Sequence, residues 1–495
     1  MPNSRFKASD IRRYLIDTAQ HEERDVDFED EESSSVSQTS TVEHDQESFE
    51  LFRTRVMELC AAQFPRSSFQ VERLRGGTYN RITAITVRPL PPRAFTVPWI
   101  RSLLPINEAH IKAYKPKHYI LRSARREPSS DDLDMRYDVA TLKFARMKFR
   151  KLVPRVIHLD EHTRNPLSRT YTIQNRLAGQ NLNKIWLGLT INQKISTMHI
   201  VVRVMKRLHK IQGPKAGIIA RLRVLLLSRG EVIPEICAFR TSQGLVSAFA
   251  GPVDRPAEAM TTRQFLLHQS CRWQRLEQDQ EDGDEVIWDC FDIITKSLHN
   301  MGLIPDSDRF YFCHLDLYPR NMLVEIEDDS SLLLTGLLDW DAQFAYFCPK
   351  FVAYRAPFWL WVSGGHEYNE MIAADMPEDA EHRRLKSLWE EAASVEWKRY
   401  AYEPEYMIAR RMFALLRDGI HHDGDKEEAR SIVDAWQKLH YDQRLATAYA
   451  SDESDGAEAN MDVGDRDEGI YTLAQQDLEL DDVRDEDDGA IDSHD

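Results

Sequence analysis

Residues 311–341 read YFCHLDLYPRNMLVEIEDDSSLLLTGLLDWD. Two apolar runs, MLVEIE and LLLTGLLD, have the length and composition of buried strands, and DDSS between them supplies turn residues. The pair is expected to form a β-hairpin. Into this apolar setting the chain places His314, Asp316, Asn321, Asp339 and Asp341. Carboxylates and amides are costly in an apolar interior unless something compensates them, so their presence needs a reason.

Hairpin geometry supplies one. In an antiparallel pair the start of the first strand lies beside the end of the second, about 4.8 Å away. Asn321 precedes the first run and Asp339 closes the second, so both side chains belong to one open end. An amide oxygen and a carboxylate there make a hard-oxygen site suited to Mg²⁺, which also takes phosphate and water. Asp316, in the loop entering the hairpin, can face the same space. The pattern His-x-Asp-x-x-x-x-Asn, followed by an Asp at a strand end, is that of phosphoryl-transfer loops. In those loops the first Asp is the base, and the Asn and later Asp hold metal. Turn capping alone does not need three such groups at one end. His314 is read as structural, orienting the loop through a backbone hydrogen bond or simply packing, since Asp316 already supplies a base. Asp341 is a reserve ligand on the face of Asp339.

The segments upstream fit a nucleotide-holding lobe. FQVERLRGGTYNRITAITV reads as a hairpin in which Gly76 and Gly77 let backbone N–H groups approach phosphate. A strand follows these glycines, whereas Rossmann and Walker motifs require a helix there. HYILRSARR is a strand carrying Arg122, and DVATLKFARMKFRKL is a helix with Asp138 in its first turn. They stand where a kinase places a Lys and its paired Glu. Backbone groups around Gln174, Asn175 and Arg176, in YTIQNRLAG, are placed to read adenine.

The 495-residue chain has a net charge of −17, but residues 451–495 hold 18 acids against two bases, leaving the rest at −1. That tail is read as disordered and solvating, with docking to a basic protein partner as the second reading. The neutral body gives no support for nucleic-acid binding. No apolar run reaches the ~20 residues that span a membrane, and no h-region of a secretory signal opens the chain. The six cysteines form no C-x-x-C pair, which points to a reducing, cytoplasmic compartment. Four regions are expected: a disordered segment over 1–48, a nucleotide-binding lobe over 49–178, a helical lobe with the catalytic loop over 179–449, and an acidic disordered tail over 450–495. INQKISTMHIVVRVMKRLHKIQ lines up Ile195, Met198, Val202, Met205 and Leu208 on one helix face. Residues 213–283 read as less regular.

With these pieces in place, RGGTYNRI, YILRSARR, DVATLKF, HLDLYPRNMLV, GLLDWD and PKFVAYRAPFWLW resemble the aminoglycoside phosphotransferase and choline kinase-like superfamily. Within it, the chain is most similar to the fungal branch of phosphotransferase enzyme family proteins. The resemblance implies an α+β, two-lobed protein-kinase-like fold, with a small β-rich lobe, a larger helical lobe and Mg·ATP in the cleft. It implies that Asp316 accepts or orients the acceptor proton and that Asn321 and Asp339 hold Mg²⁺. Arg122 stands where the family usually has Lys. The acceptor is expected to be a small-molecule hydroxyl, since DWD replaces D-F-G and no A-P-E element is present. A non-catalytic kinase-like binding module is the alternative, and a protein kinase the third reading. Glu390 and Glu391 are read as an exposed charged helix face, and PFWLW as core.

Overall fold

The computed structural model describes residues 47–74, 80–90, 115–125, 135–225, 231–239, 255–277, 285–362 and 369–440. Gly76, Gly77 and most of the two terminal segments lie outside them. Helix α1 (Phe49–Gln63) starts at Ser48, whose hydroxyl accepts from Leu51 N. Strands β1 (Ser67–Arg73), β2 (Asn80–Pro89) and β3 (Lys117–Ala124) follow, then helix α2 (Met135–Phe149) and strands β4 (Val156–Asp160) and β5 (Tyr171–Asn175). The strands form an antiparallel sheet in the order β1-β2-β3-β5-β4.

Alternation along these strands decides where the polar residues go. Val71, Ile85, Val87, Leu121, Tyr171 and Ile173 pack with Phe52, Val56, Leu59 and Cys60 of α1 in a small core of their own. Their sequence neighbours point to the opposite face. Register pairs Ile82 with Arg122, Arg122 with Thr172, and Ile120 with Gln174, so Arg122 and Gln174 share the face turned away from α1.

A second and larger core lies beyond the linker. It begins with β6 (Gln180–Asn181) and helix α3 (Ile191–Leu208), the latter started by a capping box between Thr190 and Gln193. Met198, Val202, Met205 and Leu208 are buried along α3 as their spacing predicts, with Ile195 half-buried. Strand β7 (Gln212–Gly213) leads to β8 (Ile218–Leu225) and β9 (Glu231–Cys237), then helices α4 (Thr262–Glu277) and α5 (Glu285–Asn300). The described residues between 213 and 283 are therefore more regular than their sequence suggests. Arg221 and Arg223 interrupt the apolar pattern of β8, yet both reach Glu235 on β9, at 2.8 and 2.5 Å. The hairpin β11 (Met322–Ile326) and β12 (Leu332–Leu337) is preceded by β10 (Phe310–Phe312) and followed by β13 (Phe347–Pro349). Helices α6 (Ala380–Ala392), α7 (Val395–Tyr402), α8 (Pro404–Asp418) and α9 (Asp423–Leu439) complete the lobe. Phe358, Trp359 and Trp361 are buried, and their indoles donate to Leu317 O and Ala373 O, so PFWLW is core. Helix α2 follows the small sheet in sequence, but Tyr137, Leu142, Phe144 and Phe149 pack into the larger core. The architecture is α+β with two lobes, as expected.

Candidate active site

Strands β11 and β12 pair antiparallel from Met322↔Leu337 to Ile326↔Leu332. The ladder continues one step past the strands, where Leu338 N donates to Asn321 O at 2.8 Å. Asn321 and Asp339 thus flank the same open end, as the sequence pattern predicts. A 3₁₀ turn (Pro319–Asn321) delivers Asn321 there, opened by Pro319 with its preset φ.

Asp316 is buried and tied down at three points. Asn321 Nδ2 donates to its backbone oxygen at 2.9 Å and to its Oδ2 at 2.6 Å. Arg320 donates to Oδ1. The Arg320 contact was absent from the sequence reading, although its i,i+4 spacing from Asp316 was a signal that could have shown it. It leaves Asp316 with a fixed carboxylate beside a cation that is only partly exposed.

The DWD segment turns on one residue. Asp339 adopts φ +60°, the left-handed region that Asp tolerates better than most side chains. That turn sends Trp340 into the core, stacked on Phe312 at 5.9 Å, while its indole N–H returns to Leu337 O at 3.0 Å. His314 lies edge-on to Trp340 at 4.5 Å and bonds Leu338 O at 2.8 Å. A carbonyl can only accept, so Nε2 carries the proton, and burial holds the imidazole below its usual pKa. The other ring nitrogen is buried without a partner. His314 thus holds the segment that bears Asp339 through a backbone hydrogen bond.

Arg122 meets the DWD segment from the small sheet. Its Nη2 donates to Asp341 Oδ2 at 2.6 Å and lies 3.6 Å from Asp339 Oδ1. The acid paired with Arg122 is therefore Asp341 and not Asp138. Asp138 instead accepts from Ala342 N at 2.8 Å, holding the backbone just after Asp341. The physical reason is reach: the short Asp138 side chain ends at the nearest backbone donor, and Asp341 takes the guanidinium. Asp341 thereby gives Oδ2 to Arg122.

Three carboxylates around one guanidinium leave an excess of negative charge. Burial and the neighbouring Asp341 push the Asp339 carboxyl up to about 7, against the pull of Arg122. Asp138 is raised well above the carboxylate range by burial first and Asp341 second. A divalent cation would offset this excess. Asn321 donates through Nδ2, so Oδ1 is the atom that would meet a cation, and the Asp339 side chain is 32% exposed. Among the described residues no three His, Cys, Asp or Glu side chains form a self-sufficient metal site. Two protein oxygens completed by phosphate and water fit Mg²⁺.

At the end of β5, Gln174 Nε2 donates to Thr172 Oγ1 at 3.3 Å on the Arg122 face. The backbone N–H groups of Asn175 and Arg176 are taken by Arg155 O and His118 O, at 3.0 and 2.9 Å. Both N–H groups are spent on backbone partners within the sheet.

Comparison with known proteins bears on this geometry. Residues 108–343 match the phosphotransferase enzyme family, a span that holds Arg122, Asp138, Asp316, Asn321, Asp339 and Asp341. The matched span is just under half of the chain. Over that span the chain is similar to phosphotransferases. Curated proteins yielded no match. Among solved structures, aminoglycoside phosphotransferase APH(4)-Ia aligns at 14% identity and TM-score 0.41, over 79% of this chain and 99% of its own. A thermostable mutant of that protein, in ternary complex with ADP and hygromycin B, aligns at 14% identity and TM-score 0.39, over 78% and 98%. The GDP and kanamycin complex of APH(2″)-IIia aligns at 15% identity and TM-score 0.35, over 79% and 100%.

Proposed function

We propose that this protein is a phosphotransferase that moves the γ-phosphoryl group of ATP to a hydroxyl of a small molecule, with Asp316 as the base. The observation that carries the reading is the convergence of Asp316, Asn321 and Asp339 at one end of the β11–β12 hairpin, facing Arg122. Asp316 would hold the acceptor hydroxyl and take its proton as oxygen attacks phosphorus and the bond to the β-phosphate oxygen breaks. Asn321 and Asp339 would hold Mg²⁺, which neutralises phosphate charge when bound. Arg320 and Asn321 keep the Asp316 carboxylate in one orientation, which favours attack by a positioned hydroxyl over one by bulk water.

One observation favours the non-catalytic module instead: Arg122 is held by Asp341 and so is not free to meet phosphate. Thermal unfolding with and without Mg·ATP separates the two readings. Nucleotide at ~100-fold over its Kd should stabilise the wild type by about 2.7 kcal/mol, and Asp339→Asn should lose most of that. No shift in the wild type at millimolar Mg·ATP would leave the binding module as the better reading. Where the shift is present, an acceptor screen follows. Asp316→Asn should keep the Mg·ATP shift and lose turnover by about 10²–10⁴-fold. All six cysteines are free, which supports our placing the protein in the cytoplasm. No described helix is long and apolar enough to cross a membrane.

A further inference from the structure

A cavity of about 830 Å³ lies between α3, the closed end of the β11–β12 hairpin, the C-terminal end of α2 and Arg384 of α6. Helix α6 is fastened to α3 there by the Lys194–Glu381 ion pair at 2.6 Å. The floor is apolar: Ile200 and Val204 are buried on α3, and Leu334 of β12 is half-buried. The rim is cationic. Arg203, Arg207 and Arg384 are all exposed and line the same space. Among the described residues Arg203 and Arg384 make no ion pair, and Arg207 lies over the Phe149 ring at 5.2 Å. Glu327 is the one acid among the lining residues.

This cavity is separate from the candidate active site. Leu334 and Asp339 are five residues apart on an extended strand, about 17 Å. Asp138 and Phe149 lie eleven residues apart on α2, about 16 Å. The cavity therefore touches the far ends of the two elements that carry Asp339 and Asp138.

We propose that this cavity binds an amphipathic anion, a monomeric small molecule with an apolar body and a carboxylate or phosphate head. The volume falls in the range of small-ligand sites, about 300–1,000 Å³. An apolar floor under guanidinium groups matches a ligand that is apolar along its length and charged at one end, because Arg pairs carboxylate and phosphate through parallel N–H donors. A cavity walled by four elements favours a free molecule over the headgroups of a membrane surface.

Titration calorimetry on the full chain tests the proposal, with dodecyl phosphate below its micellar concentration as the probe. Wild type should bind saturably with about one equivalent. R203E/R384E should weaken binding by about tenfold or more, and Asn192→Trp, an exposed residue lining the cavity, should block it by filling the space. Circular dichroism and the unliganded Tm establish that both variants fold, and either one suffices if the other does not. Dodecanol and inorganic phosphate, which each carry half of the ligand's chemistry, should bind far more weakly. Equal binding of dodecanol, unchanged affinity in both variants, or no binding to wild type would overturn the proposal. Co-sedimentation with phosphatidic-acid vesicles, without binding of the monomeric probe, would overturn it in favour of a membrane surface.

Discussion

Asp339 shows how much a single residue is asked to do. It ends β12, takes the left-handed turn at φ +60° and presents the carboxylate that faces Arg122. Replacing it by Ala confounds two effects, because Ala adopts this conformation at a cost of about 1–2 kcal/mol. Asn tolerates the turn, so Asp339→Asn isolates the charge and is the variant to use for the Mg·ATP shift. Arg122 is the converse case, one cation serving several acids. Removing it leaves Asp138, Asp339 and Asp341 without their shared counter-charge. Breaking a buried ion pair from one side typically costs about 3–5 kcal/mol. Arg122→Ala should lower stability toward that figure in urea unfolding at pH 8, and by less at pH 5, where the raised Asp339 carboxyl is protonated. An equal loss at both pH values would count against charge as the cause.

At the scale of elements, the linker between the lobes is pinned to the β11–β12 hairpin. Gly179 has φ +100°, and a Cβ there would meet Val324 O at 2.9 Å and collide with Thr335 Oγ1. Thr335 in turn donates to Ala178 O at 2.8 Å. Only glycine allows this approach, so Gly179→Ala should cost at least about 2 kcal/mol in denaturant unfolding. A neutral result would mean that the hairpin yields. The C-terminal end of α3 offers a pH test away from the active site. His209 stacks on Tyr354 at 3.8 Å and contacts Ala353 O at 3.2 Å, and burial lowers its pKa from 6.5 to about 4. Between pH 4 and 6.5 the unfolded chain binds this proton and the folded chain does not. Stability therefore rises with pH across that window, by up to about 1.4 kcal/mol per unit, and is flat in this group above it. His209→Gln should flatten that slope relative to wild type, measured as ΔG against pH.

At the scale of the whole molecule, the two lobes meet through contacts between residues roughly 200 positions apart. Arg122 reaches Asp341 across 219 residues and Asp138 reaches Ala342 across 204. Helix α2 adds to this, since it follows the small sheet in sequence and packs into the large core. The DWD segment is therefore a tie between lobes as well as a site. Asp341→Ala should loosen that tie, raising amide exchange in β3 and around residue 342 while the α1 core stays protected. Uniform exchange across the small sheet and the large lobe would contradict it.

The sequence by itself determined the β11–β12 hairpin and the end at which its polar groups collect. Those features depend on local chemistry: alternating apolar strands, a turn-rich connection and fixed spacing from Asp316 to Asn321 and Asp339. It also gave α1, α2 and α3 from their helical periodicity. It did not reveal β8, whose outward arginines break the apolar pattern until Glu235 on the next strand compensates them. Nor did it reveal which acid Arg122 takes, because Asp138 and Asp341 are both plausible by type. Only the tertiary structure decided that, by placing one carboxylate within 2.6 Å of the guanidinium and the other beside a free N–H. Spacing along a chain fixes what neighbours can share, but the partner of a charge buried between two lobes depends on where the lobes set their backbones.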